Sequence, residues 1–416
     1  MRSLPVMQRR SSTSSRDWTQ DAPGTLRDMP LLPLAATLAV QTLATMAMFS
    51  VPAIAPEIAR ELHVSGTLVG DFVAAAYGTG IISALLSPGL IRRYGGVRAT
   101  QAVLLAAAGM VLVCAGISNV FGLALGAVVL GLGYGAAAPA STHLLVPQTP
   151  KSVFNMVMSL RQIGVPLGGV IGSLVVPPLT VAIGWRGALL TELVPMLLLI
   201  GLMEIPRRRW DADRDPGRRA FGPTLLQPFA MLHERAIRRL SVASFVYSGM
   251  QLCFVAFMTV QLTTTAGFDL VAAARMLAAY QIAGTVSRPI WGWIADTWLT
   301  PRQTLVIHGL GMAVAAVLAG YFSAGWSSWA VLGVVLLAGC TAGGYTGVAY
   351  AEYAALGGTR RTEATGLGTA LMFAAVMSIP PLFGFAVAAA GGYAVPFLAL
   401  AGLAVISAAV LLLPQL

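Results

Sequence analysis

Residues Arg207–Arg239 read RRRWDADRDPGRRAFGPTLLQPFAMLHERAIRR. This is the longest polar interval in a chain that is otherwise 57% hydrophobic. Charge crowds into it and is almost absent from the apolar runs on either side, about six in each direction, each of the roughly twenty residues a membrane-crossing helix needs. A charged interval between two equal sets of such runs predicts a linker joining two membrane-embedded halves.

The composition agrees. Mean hydropathy is +0.78 and only 10% of the 416 residues are charged, where a soluble domain carries roughly a quarter. The surplus is lipid-facing surface. Net charge is +10 and the isoelectric point about 10.1. A basic balance serves nucleic-acid binding only as a clustered face on a soluble domain; here the arginines sit in short loops, so nucleic acid is not an expected partner. Cys114, Cys253 and Cys340 lie apart inside apolar runs and form no metal motif. His63, His143, His233 and His308 are scattered, and only His143 is placed to touch a cavity. No cofactor and no metal are expected.

The runs fall at about 31–54, 68–90, 99–118, 120–145, 153–178 and 186–205, then at about 240–263, 271–294, 303–323, 327–350, 363–388 and 393–413. They are twice the length of outer-membrane strands and do not alternate in polarity. Helices are therefore expected, with glycines such as Gly131, Gly133 and Gly135 at close helix contacts. The predicted fold is an all-α membrane protein: twelve transmembrane helices in two pseudo-symmetric six-helix bundles. Residues 1–29 read as a disordered tail, 30–206 and 240–416 as the bundles, and 207–239 as the linker.

Arginine and lysine set the orientation. One side holds the tail arginines, Arg92, Arg93, Arg98, Lys151, the linker arginines, Arg302, Arg360 and Arg361; the other holds Arg60, Arg186 and Arg275. The positive-inside rule then puts both termini and the linker in the cytoplasm, in a multi-pass protein of the inner membrane. Leu225–Leu240 is a short amphipathic stretch that either lies on the inner leaflet, with Arg235, Arg238 and Arg239 toward lipid phosphates, or simply leads into the seventh helix.

The halves resemble each other. Gln41 and Gln251 sit near the middles of the first and seventh runs. Tyr134 (GLGYG) and Tyr345 (AGGYTG) match in the fourth and tenth, and Gly184-Trp185 and Gly392-Tyr393 open the sixth and twelfth. Several matches at one offset indicate parallel repeats.

At Ser287–Thr297 the chain reads SRPIWGWIADT. This resembles the Gly-x-Leu-Ala-Asp signature at the cytoplasmic end of the eighth helix in the major facilitator superfamily, with Gly292, Ile294, Ala295 and Asp296 matching. The first-half counterpart, PGLIRRYGGVR, keeps Leu90, Arg93, Gly95 and Arg98, but has Pro88 for the leading Gly and Arg92 for the Asp. SLRQIGVPLGGVIG is similar to the family's fifth helix through Gly164, Pro166, Gly168 and Gly169. Ala127 replaces an Arg common in the family's proton-driven exporters. The resemblance implies a central cavity and alternating access by rocking of the halves.

It also implies that helices one, four, seven and ten line the cavity. Gln41 and Gln251 would then face each other as substrate ligands, or serve only as interhelical struts. Tyr134 and Tyr345 either present hydroxyls to the cavity or fill the core. Arg161, followed by Gln162, can hold a carboxylate bidentately, or its head can snorkel to the interface. Glu192 and Glu352 are the acids able to carry a co-transported proton, although Glu352 stands near the membrane edge. The implied inner gate uses Arg92, Arg93, Gly95, Gly292, Asp296 and Glu363. Asp296 should meet the start of helix five near Lys151 and Ser152, because a helix N-terminus stabilises an acid. Arg92, in the acid's place, should meet Glu363 at the start of helix eleven, unless both are merely solvated.

The reading is a monomeric secondary transporter of a small organic solute, with an anion favoured by Arg161. Efflux of drugs or metabolites is the alternative on the same fold. A membrane enzyme needs a polar catalytic cluster at one face, and a transport-deficient sensor would be expected to carry a soluble signalling domain; neither feature is visible.

Overall fold

The computed structural model describes residues 29–63, 68–117, 119–217, 219–220 and 227–413. The expected disordered tail, apart from Met29, lies outside the described residues, as do residues 221–226 of the linker.

The helices are α1 (Leu31–Ala53), α2 (Leu68–Tyr94), α3 (Gly96–Gly116), α4 (Val120–Tyr134 and Ala137–Leu145), α5 (Phe154–Gln162 and 164–183) and α6 (185–191 and Leu193–Glu204). The second half contributes α7 (Arg235–Thr264), α8 (Leu270–Thr297), α9 (Pro301–Gly320), α10 (Ser328–Ala342 and Thr346–Gly357), α11 (Arg361–Ala390) and α12 (Ala394–Leu412). Among the described residues, nine helical stretches are long and apolar enough to cross a membrane, two of them 54 and 63 residues long. A straight helix of that length would reach about 80 Å or more, far beyond the roughly 30 Å of hydrocarbon. The first doubles back at Gly184 (φ 76°) and the second at Gly358 (φ 52°), backbone that glycine adopts without a steric penalty. With both divided, and with α8, which is long enough but less apolar, the crossings number twelve. A short helix, Ala55–Leu62, follows α1 in what reads from the sequence as loop.

Local signals start several of these elements. Asn119, Asp269 and Ser327 accept the backbone N–H three residues on, at 3.0, 2.9 and 3.2 Å, satisfying a donor that a helix start leaves free. Thr300 and Gln303 form a reciprocal cap with Pro301 in the first turn.

The two tyrosine-bearing glycine motifs break α4 and α10 at equivalent places, which the sequence reading treats as continuous. A Cβ on Gly135 would lie 1.9 Å from the Gly80 carbonyl, and one on Gly343 2.7 Å from Gly284 Cα. α4 thus meets α2, and α10 meets α8, at backbone contact. Repeat symmetry governs the rest: α1 packs on α5 and α7 on α11, while the halves join through α2 against α11 and α5 against α8.

Large apolar side chains face outward over the whole body. Val181 is 91% exposed, Phe385 75% and Leu174 69%. Exposure on this scale is tolerable only in lipid.

Among the described residues of Leu225–Leu240, no separate α-helix precedes α7. Gln227–His233 is a 3-10 turn with Pro228 and Met231 buried, and α7 begins directly after it. Arg238 donates to the Leu232 carbonyl at 3.3 Å and Arg239 to that of Leu413 at 2.7 Å. Of the two readings of Leu225–Leu240, the lead-in to α7 holds for residues 227–240; Leu225 and Leu226 lie outside the described residues.

Candidate functional site

A hydrogen-bonded seam crosses between the halves at mid-helix depth. Arg161 stands seven residues into α5, about 10 Å along it, and is wholly buried. Its guanidinium donates to Gln41 Oε1 on α1 and to Gln162 Oε1, each at 2.6 Å. Gln41 in turn donates to Thr45 at 3.0 Å, and the Thr45 hydroxyl pairs with that of Tyr134 at 3.2 Å. Arg161 therefore does not snorkel; its head is turned into the protein, and its Nε has no partner among the described residues.

Arg288, nine residues before the end of α8, extends the seam into the other half. It is 4% exposed. Its Nε donates to the Gly343 carbonyl at 2.8 Å, and Nη1 donates to the Gln162 carbonyl. Both carbonyls lie where helices break, at 162–164 in α5 and at 343–345 in α10, so they are free of helix partners. The breaks that interrupt the helices are what give a buried guanidinium its acceptors.

The seam thus runs Tyr134, Thr45, Gln41, Arg161, Gln162, Arg288, Gly343. Every acceptor in it is neutral. Neither arginine pairs with a carboxylate among the described residues. Two buried cations without a counter-charge are costly.

Aromatic rings flank one end. Tyr134 stacks on Phe373 of α11 at 5.7 Å, and Tyr77 of α2 stands edge-on to both, at 6.2 and 4.8 Å. Tyr350 shares a hydrogen bond with Thr369 at 3.1 Å.

The other expected ligands are placed differently. Gln251 is half-buried, and its backbone carbonyl accepts from Tyr280 at 3.5 Å. Its side chain has no hydrogen bond among the described residues, so the two glutamines do not pair across the halves. Gln41 is instead held by its own bundle. Tyr345 is fully buried in the second bundle, edge-on to Tyr247 at 5.6 Å.

Glu192 is 1% exposed on α6. Neither carboxyl oxygen has a hydrogen-bond partner among the described residues. The neighbouring hydroxyl, Ser50 on α1, donates to the Met46 carbonyl at 2.7 Å instead. Glu352 belongs to the second half, on α10. It lines a cavity of about 630 Å³ at the arginine-rich face, together with Lys151, Asn155 and Arg361.

That face is closed by contacts between the halves. Asp296 accepts from the Asn155 and Met156 backbone N–H groups, each at 2.9 Å, and from the Asn155 side chain at 2.8 Å. The docking point is three to five residues beyond Lys151 and Ser152, because Pro150 opens a 3-10 turn over Lys151–Val153 and α5 proper starts at Phe154. Gly292 permits the approach: a Cβ there would lie 2.6 Å from Met156 Cα. At the equivalent position in the other half, Arg92 forms an ion pair with Glu363, each side chain 20% exposed. Arg93 lies over the Tyr94 ring at 5.4 Å. Gly95 (φ 100°) faces Asp211, whose Cγ would be 2.1 Å from any Cβ. Asp211 caps α3 by accepting from the Val97 N–H at 2.8 Å, and burial raises its carboxyl above the usual range. Asp213 of the linker pairs with His143 Nε2 at 3.2 Å. His143 thus meets the linker rather than a cavity.

Sequence reasoning missed Arg288, Thr45 and the aspartates of the linker. The signal for Arg288 was an arginine six residues before the end of the apolar run at 271–294, hidden within the quoted signature. Thr45 and Asp211 carry no such signal, since each acts through a partner distant in sequence.

Two bundles of membrane-length helices, a polar seam between them and an ion-paired closure at one face define a polytopic membrane protein of two repeated halves. The chain belongs to the Major Facilitator Superfamily, whose family model matches residues 37–357 and 276–415. It is 26% identical over 297 residues to the 4-hydroxybenzoate transporter PcaK of Pseudomonas putida, covering 64% of this chain and 66% of that one. It is 31% identical over 151 residues to PcaK of Acinetobacter baylyi, covering 35% and 33%. The chain thus matches less than two thirds of the length of either relative. Its fold is similar to that of the E. coli fucose:proton symporter FucP, with a TM-score of 0.69 at 15% identity over 92% of this chain and 99% of that one.

Proposed function

We propose that the protein moves a small organic anion, an aromatic carboxylate by preference, across the cytoplasmic membrane by alternating access. The observation that carries this is the pair Arg161 and Arg288: two buried guanidiniums from opposite halves, joined through Gln162, with only neutral acceptors. A carboxylate supplies the missing counter-charge, and a guanidinium fork holds it bidentately. The unpartnered Arg161 Nε is a donor left open for it. Tyr77, Tyr134 and Phe373 offer ring faces beside the seam, and the curated relatives carry the name of an aromatic carboxylate.

In this reading the arginine-rich face is cytoplasmic and the structure is closed there. Opening separates α5 from α8 and so parts the two arginines, which ties release of the anion to the change of state. Gln41 and Gln162 position the Arg161 fork, and Glu192 carries a coupled proton. The protein acts as a monomer in which residues 30–206 and 240–416 rock about the linker.

The test is uptake by proteoliposomes over a panel of aromatic carboxylates, aliphatic carboxylates, and their neutral amides, with and without a pH gradient. Uptake of the acids but not the amides is expected. Arg161→Lys and Arg288→Lys keep the charge and lose the fork, so each should weaken binding about tenfold. Equal uptake of amides, or unchanged affinity in both variants, overturns the anion reading.

A further inference from the structure

Outside the seam, the first bundle carries a groove of about 850 Å³ on its outer surface between α2, α3 and α4. Its walls are Leu86 and Leu90 from α2, Ala102 and Ala106 from α3, Leu132 from α4 and Ala136 at the break in α4. The alanines leave space where neighbouring lipid-facing positions, such as Leu105 at 54% exposure, carry large side chains. The groove runs up α2 from Tyr94 to Ser83, eleven residues or about 16 Å of helix. That is close to half of the roughly 30 Å hydrocarbon layer, the thickness of one leaflet.

Its polar end is cationic and lies at the arginine-rich face. Arg98, Arg207 and Arg214 line it there. Arg98 and Arg207 share one acid, Glu204, at 3.0 and 2.5 Å, so that group keeps a net positive charge. Arg214 is exposed and has no ion pair among the described residues. The nearby linker acids are turned elsewhere: Asp211 to the start of α3, Asp213 to His143, and Asp215 to the Gly217 N–H.

We infer that this groove holds an anionic phospholipid of the leaflet at that face, with one acyl chain between α2 and α3 and the headgroup at Arg214 and the Arg98–Arg207 pair. An apolar slot one leaflet deep, open to lipid and ending in unbalanced arginines, matches an amphiphile of opposite headgroup charge. A water-soluble anion has no use for the slot, and a second protein chain would have to fill it from within the bilayer.

The full chain, purified in detergent, is titrated with phosphatidylglycerol or phosphatidylethanolamine, and bound lipid is counted by native mass spectrometry. Phosphatidylglycerol should bind about fivefold more tightly, the effect of one charge near such a surface. Ala102→Phe fills the slot and should remove one bound phosphatidylglycerol, whereas Leu105→Phe, outside it, should not. Arg214→Glu should abolish the preference between the two lipids while leaving acyl-chain binding. Equal retention of both lipids by the wild type, phosphatidylglycerol occupancy unchanged in Ala102→Phe and Arg214→Glu, or a protein dimer in place of bound lipid overturns the proposal.

Discussion

Both carboxylate oxygens of Asp296 sit on the first turn of α5, Oδ1 accepting from Asn155 N–H and Oδ2 from Met156 N–H at 2.9 Å each. An acid here satisfies two donors that a helix start leaves free and meets the positive end of its dipole. On the alternating-access reading, α8 and α5 belong to halves that part at the arginine-rich face, so opening there breaks this contact. Asp296→Ala should therefore favour the state open on that side, by about 2 kcal/mol from the loss of a charged hydrogen-bond pair. A cysteine placed at Ala351, which lines the cavity at that face but is itself buried, should then react faster with a membrane-impermeant thiol reagent added from that side. An unchanged labelling rate means that Asp296 does not hold the gate.

Much of the fold was legible because a membrane imposes a length on every crossing and a sign on every loop. Gly184 and Gly358 mark reversals that composition leaves blurred, since apolar sequence continues almost without pause through the first. The contact of α8 with α5 was legible for a different reason: Gly292 and Asp296 carry a family pattern at fixed spacing, and Arg92 stood out as the departure from it in the first half. The seam was only half legible. Arg161 stood out as a charge in an apolar run, yet its neighbours come from α1, α4, α8 and α10, and no one-dimensional spacing reports them. Gln41 was found by its depth, but it was given the wrong partner, because repeat symmetry suggests Gln251 and the side chain reaches Arg161.

Orientation gives a direct test. The face bearing Arg92, Arg98, Lys151, Arg302 and Arg360 should be cytoplasmic, together with both termini. Reporter fusions after Pro206 and after Leu416 are expected to show activity characteristic of the inner side. A periplasmic signal from either fusion would contradict the twelve-crossing topology.

Glu192 predicts a pH effect. The carboxyl is buried without a hydrogen-bond partner, and an unpaired charge at such a position costs several kcal/mol. If this group takes up and releases the coupled proton, Glu192→Gln mimics the protonated form permanently. The variant should fold, exchange substrate down its gradient at near wild-type rate, and lose acceleration by an imposed pH gradient. Acceleration equal to that of wild type would make Glu192 a structural acid only.

The ion pair of Arg92 and Glu363 occupies the site that mirrors Asp296 on α5 under the repeat symmetry. In one half an acid meets a helix N-terminus directly. In the other, an arginine stands where the acid would be, and α11 supplies the acid from its own first turn. An arginine facing a bare helix N-terminus would be repelled, so Glu363 serves both the helix end and the arginine. The pair is four-fifths buried on each side, which reduces the screening that makes exposed pairs worth only about 0–1 kcal/mol. Its effect on transport should come from coupling between the two residues rather than from either alone. Arg92→Glu places two acids together and Glu363→Arg two cations, so each single variant should open the arginine-rich face and slow transport. The double variant restores the pair in reversed order, although it returns a cation to the helix end. Transport in the double variant should therefore recover above both singles without reaching the wild-type rate. A double-mutant cycle on transport rate measures this coupling. Losses that add strictly, with no recovery, would show that the two side chains are neighbours without a joint role in closing the gate.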